Sequence, residues 1–130
     1  MHEVQPHTQD FGLNPGELRL VLVGPEWGLR FSAERDRLST ALGTAAIDIQ
    51  HVGSTAVPGI LAKPILDIAV AIQSFGNGHP LVPLLVALGY KYRGEYGIAR
   101  RHYFVNGAPR RTHHLHMLEQ HSADWERHIR

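Results

Sequence analysis

Asp67 is the residue that fits its sequence surroundings worst. It stands within the run from Pro64 to Ile72, nearly all apolar, which reads as a strand buried on both faces. A carboxylate there is costly unless it is paired, hydrogen-bonded or bound to a cation. It is either a structural aspartate satisfied by backbone donors or by Arg or His on a neighbouring strand, or a functional group. Fourteen residues earlier comes Gly53-Ser54-Thr55, between a strand and a short helical segment. Free N–H groups at such a turn attract a phosphate, Gly lets a ligand approach the backbone, and the hydroxyls cap the helix or donate to an oxygen. A phosphate cradle beside a carboxylate suits metal-assisted nucleotide chemistry.

Thr112-His113-His114-Leu115-His116-Met117 is the third feature. In a strand, alternation places His114 and His116 on one face about 7 Å apart, with His113, Leu115 and Met117 on the other. His-x-His is a metal-ligand spacing, and equally the pattern of two hydrogen-bonded core histidines. His51 joins the same face if the strands are adjacent. Lys63, Arg100, Arg101, Arg110 and Arg111 supply cations for a triphosphate.

These residues need elements to hold them. Leu18 to Val23 reads as a strand, and Pro25 opens a helix whose stripe is Trp27, Phe31, Leu38, Ala41 and Leu42, with Glu34, Arg35, Asp36 and Arg37 facing water, until Gly43. Ile47 to Val52 is a strand, Pro64 to Ile72 a central one, and Leu81 to Leu88 a helix ended by Gly89. Tyr90 to Tyr96, Arg101 to Val105 and Thr112 to Glu119 are three further strands, the last two joined by an Asn106-Gly107 turn. Ser122 caps a closing helix. The expected class is α+β, a mixed sheet with helices packed on it.

At 130 residues, with 43% apolar and 19% charged side chains, the chain suits one domain: a flexible leader over 1–17 and a folded unit over 18–130. The absence of cysteine excludes disulfides, thiolate metal sites and a cysteine nucleophile, and suits a cytoplasmic setting. No apolar run reaches the ~18 residues of a membrane span. Net charge is −2 over residues 1–65 and +3 over 66–130, with six basic residues between Lys91 and Arg111 against Glu95. That patch suits a phosphate or another small anion and is too small for extended nucleic acid.

Ile49-Gln50-His51-Val52-Gly53-Ser54-Thr55-Ala56-Val57-Pro58-Gly59-Ile60, followed by Ala62-Lys63-Pro64-Ile65-Leu66-Asp67-Ile68, closely resembles the GrpB family. Gly24-Pro25-Glu26-Trp27, Leu88-Gly89-Tyr90, Arg111-Thr112-His113-His114-Leu115-His116 and Trp125-Glu126-Arg127-His128 extend the match over about residues 20–130. The resemblance implies a nucleotidyltransferase-like fold related to polymerase β-type enzymes, with Gly53 and Ser54 at the phosphate-contacting turn and Asp67 as the metal carboxylate. It also implies kinship with a domain fused in some bacteria to dephospho-coenzyme A kinase. Active members of that wider superfamily carry a second acid two residues after the first, where this chain has Ala69. Gln50 replaces a frequent Glu and His102 a frequent Arg. The family continues beyond Arg130, which implies a missing C-terminal helical region.

The expectation is a domain that transfers a nucleotidyl group from a nucleoside triphosphate to an acceptor, using Mg²⁺ or Mn²⁺. Asp67 and His116 are its catalytic residues, and Asp67, His114 and His116 its metal ligands. Gly53, Ser54, Thr55, Lys63, Arg101 and Arg111 bind phosphate. The rivals are a catalytically degenerate nucleotide- or coenzyme-binding module, and a metal-binding protein built on His51, His114 and His116.

Overall fold

Pro25 has no N–H to lose at a helix start, and Trp27, Phe31, Glu34, Leu38 and Leu42 recur every three or four residues. The chain therefore winds into α1 (Glu26–Leu42) with that stripe buried. Gly43 ends it at φ +58°, its N–H on the Ser39 carbonyl. The structure is a computed structural model that describes residues 11–130. Its strands are β1 (Val21–Leu22), β2 (Asp48–Val52), β3 (Leu61–Ala62), β4 (Leu66–Ile72), β5 (Tyr90–Tyr92), β6 (Arg101–Asn106) and β7 (His113–Glu119). The other helices are α2 (Val82–Ala87) and α3 (Ala123–Ile129), with 3₁₀ turns at Ser54–Ala56 and Phe75–Leu81.

Five strands form a mixed sheet in the order β2-β4-β7-β6-β5, in which β4 and β7 run parallel and every other pair is antiparallel. β1 and β3 make a separate antiparallel ribbon. The apolar β4 lies between two partners, which explains its unbroken hydrophobicity. Leu66, Ile68, Val70 and Ile72 join Phe104, Leu115 and Met117 against Trp27, Phe31, Leu38 and Leu85. Each fully buried side chain of this kind contributes about 1.5–3 kcal/mol, and this first face carries the main core. The second face is smaller: Val52, Ala69, Ala71 and Leu118 lie under Trp125 of α3. The Ser122 hydroxyl starts that helix by accepting from the Trp125 N–H at 3.1 Å.

The mixed α+β architecture agrees with the sequence pattern, and several details differ. Glu34 is not on the water face. It falls on the apolar stripe and is 7% exposed, accepting from the Tyr90 hydroxyl at 2.5 Å and from Arg37. The strand expected over Tyr90 to Tyr96 stops at Tyr92, and positive φ at Gly94 and Tyr96 bends the chain beyond it. A longer loop replaces the tight Asn106-Gly107 turn, closed by the Thr112 N–H on the Asn106 carbonyl. Of the leader expected over 1–17, residues 1–10 lie outside the described residues, whereas Phe11 packs edge-on against Trp27 and Leu13 pairs with Arg111. Among the described residues, no helix is long and apolar enough to cross a membrane.

Candidate functional site

Strand alternation decides which side chains meet. On the second face, Val52, Asp67, His114 and Val105 stand side by side across four strands, and Gln50, Ala69, His116 and Tyr103 form the next row. Asp67 is therefore not enclosed in the core. It sits where β4 emerges beside the turn after β2, on the face that α3 covers only in part.

Gly53 adopts φ +72°, and a Cβ placed there would stand 2.7 Å from Asp67 Oδ2. Glycine is thus required twice, by conformation and by the closeness of the carboxylate. The turn and the acid singled out in the sequence are in contact. The Ser54–Ala56 segment has no side-chain cap, so the Ser54 hydroxyl is not spent as one. Thr55 turns its hydroxyl inward to donate to the Ile65 carbonyl at 3.2 Å, and His51 Nε2 lies 3.0 Å from the Thr55 Oγ1. A cleft of about 310 Å³ opens here, lined by Ser54, Thr55, Lys63, Asp67 and His114 on its polar side and by Leu20, Leu61 and Ile65 on its apolar side.

Asp67 Oδ1 lies 2.7 Å from His116 Nε2, and His116 Nδ1 lies 3.1 Å from Arg101 Nη1. A guanidinium has only donors, so Nδ1 accepts and Nε2 carries the proton given to Asp67. Arg101 thereby fixes the His116 tautomer, and His116 orients the carboxylate so that Oδ2 faces the Gly53 turn. Arg101 is itself held by the Glu95 and Tyr96 carbonyls and lies over the Tyr103 ring. Burial lowers its pKa, opposed by Tyr103 and Asp67. It is anchored inside the sheet face and does not line the cleft.

The His114 side chain lines the cleft and makes no hydrogen bond with any described residue. Burial holds its pKa below the usual imidazole range, opposed by Asp67 and reinforced by His116, Arg111 and Lys63. The field of Arg111 therefore reaches the site, and its Nε is buried with no hydrogen-bond partner among the described residues. His51 is not with them. It pairs with Ile68, points to the first face and stacks on Phe31. His102 is also on the first face, between Tyr92 and Phe75. Among the described residues, no three His, Asp or Glu side chains are placed to hold a metal ion by themselves. Both ring nitrogens of His116 are occupied, which makes it a positioning group for Asp67 as the site stands.

Sequence reasoning missed three residues of this site. Tyr103 packs its ring against His116, and burial and Asp67 raise its pKa. His128 of α3 approaches His116 to 4.7 Å between ring centroids, with its Nδ1 donating to the Asp124 carbonyl at 2.7 Å. Trp125 covers Ala69. The β6 alternation held a signal for Tyr103, whereas nothing local tied α3 to this face.

Residues 17–130 match the family described as GrpB protein. The chain belongs to the GrpB family. It is 38% identical over 113 residues to the UPF0157 protein YqkA of Bacillus subtilis, covering 87% of this chain and 33% of that one. The crystal structure of the conserved protein GrpB from Enterococcus faecalis superposes with a TM-score of 0.80 at 31% identity, over 85% of this chain and 68% of that chain. A dephospho-CoA kinase of Mycolicibacterium paratuberculosis is 41% identical over 76 residues, 56% of this chain and 19% of the kinase. The chain spans about a third to a half of the length of several curated relatives it matches. In this GrpB chain the shared region includes both the Gly53 turn and the Asp67 strand.

Proposed function

We propose that the cleft is a nucleotidyl-transfer site that takes a nucleoside triphosphate together with Mg²⁺ or Mn²⁺. The observation that carries this reading is the contact between the Asp67 carboxylate and the Gly53 turn, at the mouth of a cleft that also holds Lys63 and His114. Mg²⁺ is commonly held by one or two carboxylates, with phosphate oxygens and water completing its shell. One open carboxylate oxygen fits a cation that arrives with phosphate, and does not fit a stand-alone zinc site. When bound, such a cation neutralises phosphate charge and polarises the phosphorus. The chain's own residues do the rest. His116 and Arg101 aim Asp67, Ser54 and the turn's N–H groups face the phosphate, and Lys63 and Arg111 supply positive field. The shared region with dephospho-CoA kinases supports a nucleotide or coenzyme as ligand.

Pyrophosphate release from a panel of nucleoside triphosphates, with and without Mg²⁺, tests it. Release should fall to background in Asp67→Asn and by roughly 10–100-fold in His116→Ala, the range for a group that orients a ligand. Release that survives Asp67→Asn would remove this reading. A second reading, binding without turnover, is favoured by Ala69 lying under Trp125 in place of a second acid. Mg²⁺-dependent binding of the same nucleotides with no release would establish it instead.

A further inference from the structure

The apolar side of the cleft continues beyond it. A neighbouring cavity of about 400 Å³ is walled by Leu18, Arg19, Leu20 and Lys63, and it shares Leu20 and Lys63 with the site cleft. The cause is the β1–β3 ribbon. Val21 pairs with Ala62, which is buried, so alternation sends Leu20, Leu22 and Leu61 outward. Leu18, Leu20 and Leu61 are 89%, 58% and 62% exposed. The triphosphate moiety itself has no apolar surface to set against a leucine row. The row gains when an apolar group follows the phosphate into the groove. Lys63 stands where the polar and aliphatic parts join.

We propose that the groove binds an amphiphilic phosphoester as the acceptor, with its phosphate at Lys63, beside the triphosphate held at the Ser54 turn and Asp67, and its aliphatic chain along Leu61, Leu20 and Leu18. This assigns a substrate class to the cleft and rests on the reading of that cleft as a phosphate site. The chain, lying on leucines that remain open on one side, should gain about twofold in affinity per methylene, less than the ~4-fold of full burial.

Calorimetric titration with methyl, butyl and octyl phosphate, below micellar concentration and with Mg²⁺, tests it. Octyl phosphate, with seven more methylenes, should bind about 100-fold tighter than methyl phosphate. The double variant L20S/L61S should bind octyl phosphate no more tightly than the native chain binds methyl phosphate, and L20M/L61M should keep the preference. A flat series in the native chain overturns the amphiphile proposal while leaving phosphate binding in place. Absence of methyl phosphate and tripolyphosphate binding, with octyl phosphate also silent, overturns the phosphate reading itself. Sedimentation with phosphatidic acid and phosphatidylcholine vesicles separates the two sources of this chemistry. The chain should stay in the supernatant, and pelleting abolished by L20S/L61S would overturn the free-ligand assignment in favour of a bilayer.

Discussion

Histidine does different work on the two faces of the same sheet. On the first face, His102 is fully buried, donates from Nε2 to the Phe75 carbonyl, accepts from the Tyr92 hydroxyl and stacks on Phe75 at 4.1 Å. His113 is held by the Thr112 hydroxyl at 2.7 Å and packs edge-on against Phe11 and Tyr90. One and three residues further along β7, on the second face, His114 faces a cleft and His116 links Arg101 to Asp67. The first face is roofed by α1, α2 and the Phe75–Leu81 turn, the second by one tryptophan on a two-turn helix. Burial turns polar groups into structural pins where the cover is thick, and leaves them usable where it is thin.

The largest effect that would break this contrast is Phe104→Ala, predicted to cost about 3–5 kcal/mol because the ring is wholly enclosed by the main core. Urea denaturation reads it. A cost below ~2 kcal/mol would mean that the first face is no better packed than the second.

Histidine titration comes next. Burial pushes the pKa of His102, His113, His114 and His128 down, with the Phe75 carbonyl, Glu34, Asp67 and the Asp124 carbonyl respectively opposing it. Each folded pKa lies below its unfolded value, so the unfolded chain takes up protons first as pH falls through about 6.5. Stability is full above that pH and is lost towards the folded values, by at most about 1.4 kcal/mol per pH unit for each group. Urea midpoints from pH 7.5 to 5.5 should therefore fall. The fall should be shallower in His102→Gln than in His128→Gln, because His102 is the more deeply buried. Equal slopes would erase the difference between the faces.

Much of the second face was readable from the chain alone because period-2 alternation is a strong rule. Asp67 inside an apolar strand, Gly53 before Ser54, and His114 and His116 on a common face all come from spacing, and the structure brings Gly53, Ser54, Lys63, Asp67 and His114 to one cleft. Three things were not readable. His51 missed the site because antiparallel register with Ile68 puts it on the opposite face, and register is set by pairing rather than by local pattern. Arg101 reads from the sequence as a phosphate-binding cation, whereas strand pairing places it opposite Leu118, with its guanidinium reaching back to His116. Glu34 was assigned to water by its charge, although its spacing from Phe31 and Leu38 belongs to the buried stripe.

That stripe gives the next smaller test. Burial opposes the Glu34 charge, but hydrogen bonds from Arg37 and Tyr90 outweigh it and hold the pKa below the usual carboxylate range. Its stabilisation is therefore present above about pH 4.5 and lost as pH falls through the lower folded value. Tyr90→Phe removes one donor and should cost about 1–2 kcal/mol at pH 7, with a smaller acid-induced loss than the native chain shows. An unchanged acid profile would mean that Arg37 alone holds the charge, and that the first face tolerates a carboxylate as readily as the second.

The smallest effect concerns the thin cover itself. The Ser122 hydroxyl accepts from the Trp125 N–H and donates to the Glu119 carbonyl at 2.7 Å, so one side chain both starts α3 and ties it to the end of β7. Ser122→Ala should cost about 1 kcal/mol. A helix this short has little internal cooperativity to replace the cap, so the loss should appear locally. Amide exchange over Ala123–Ile129 should accelerate by about fivefold while β6 and β7 keep their protection. If exchange is unchanged, Trp125 burial alone fixes the helix. The second face would then be as firmly roofed as the first, and the openness of His114 would owe nothing to the weakness of its cover.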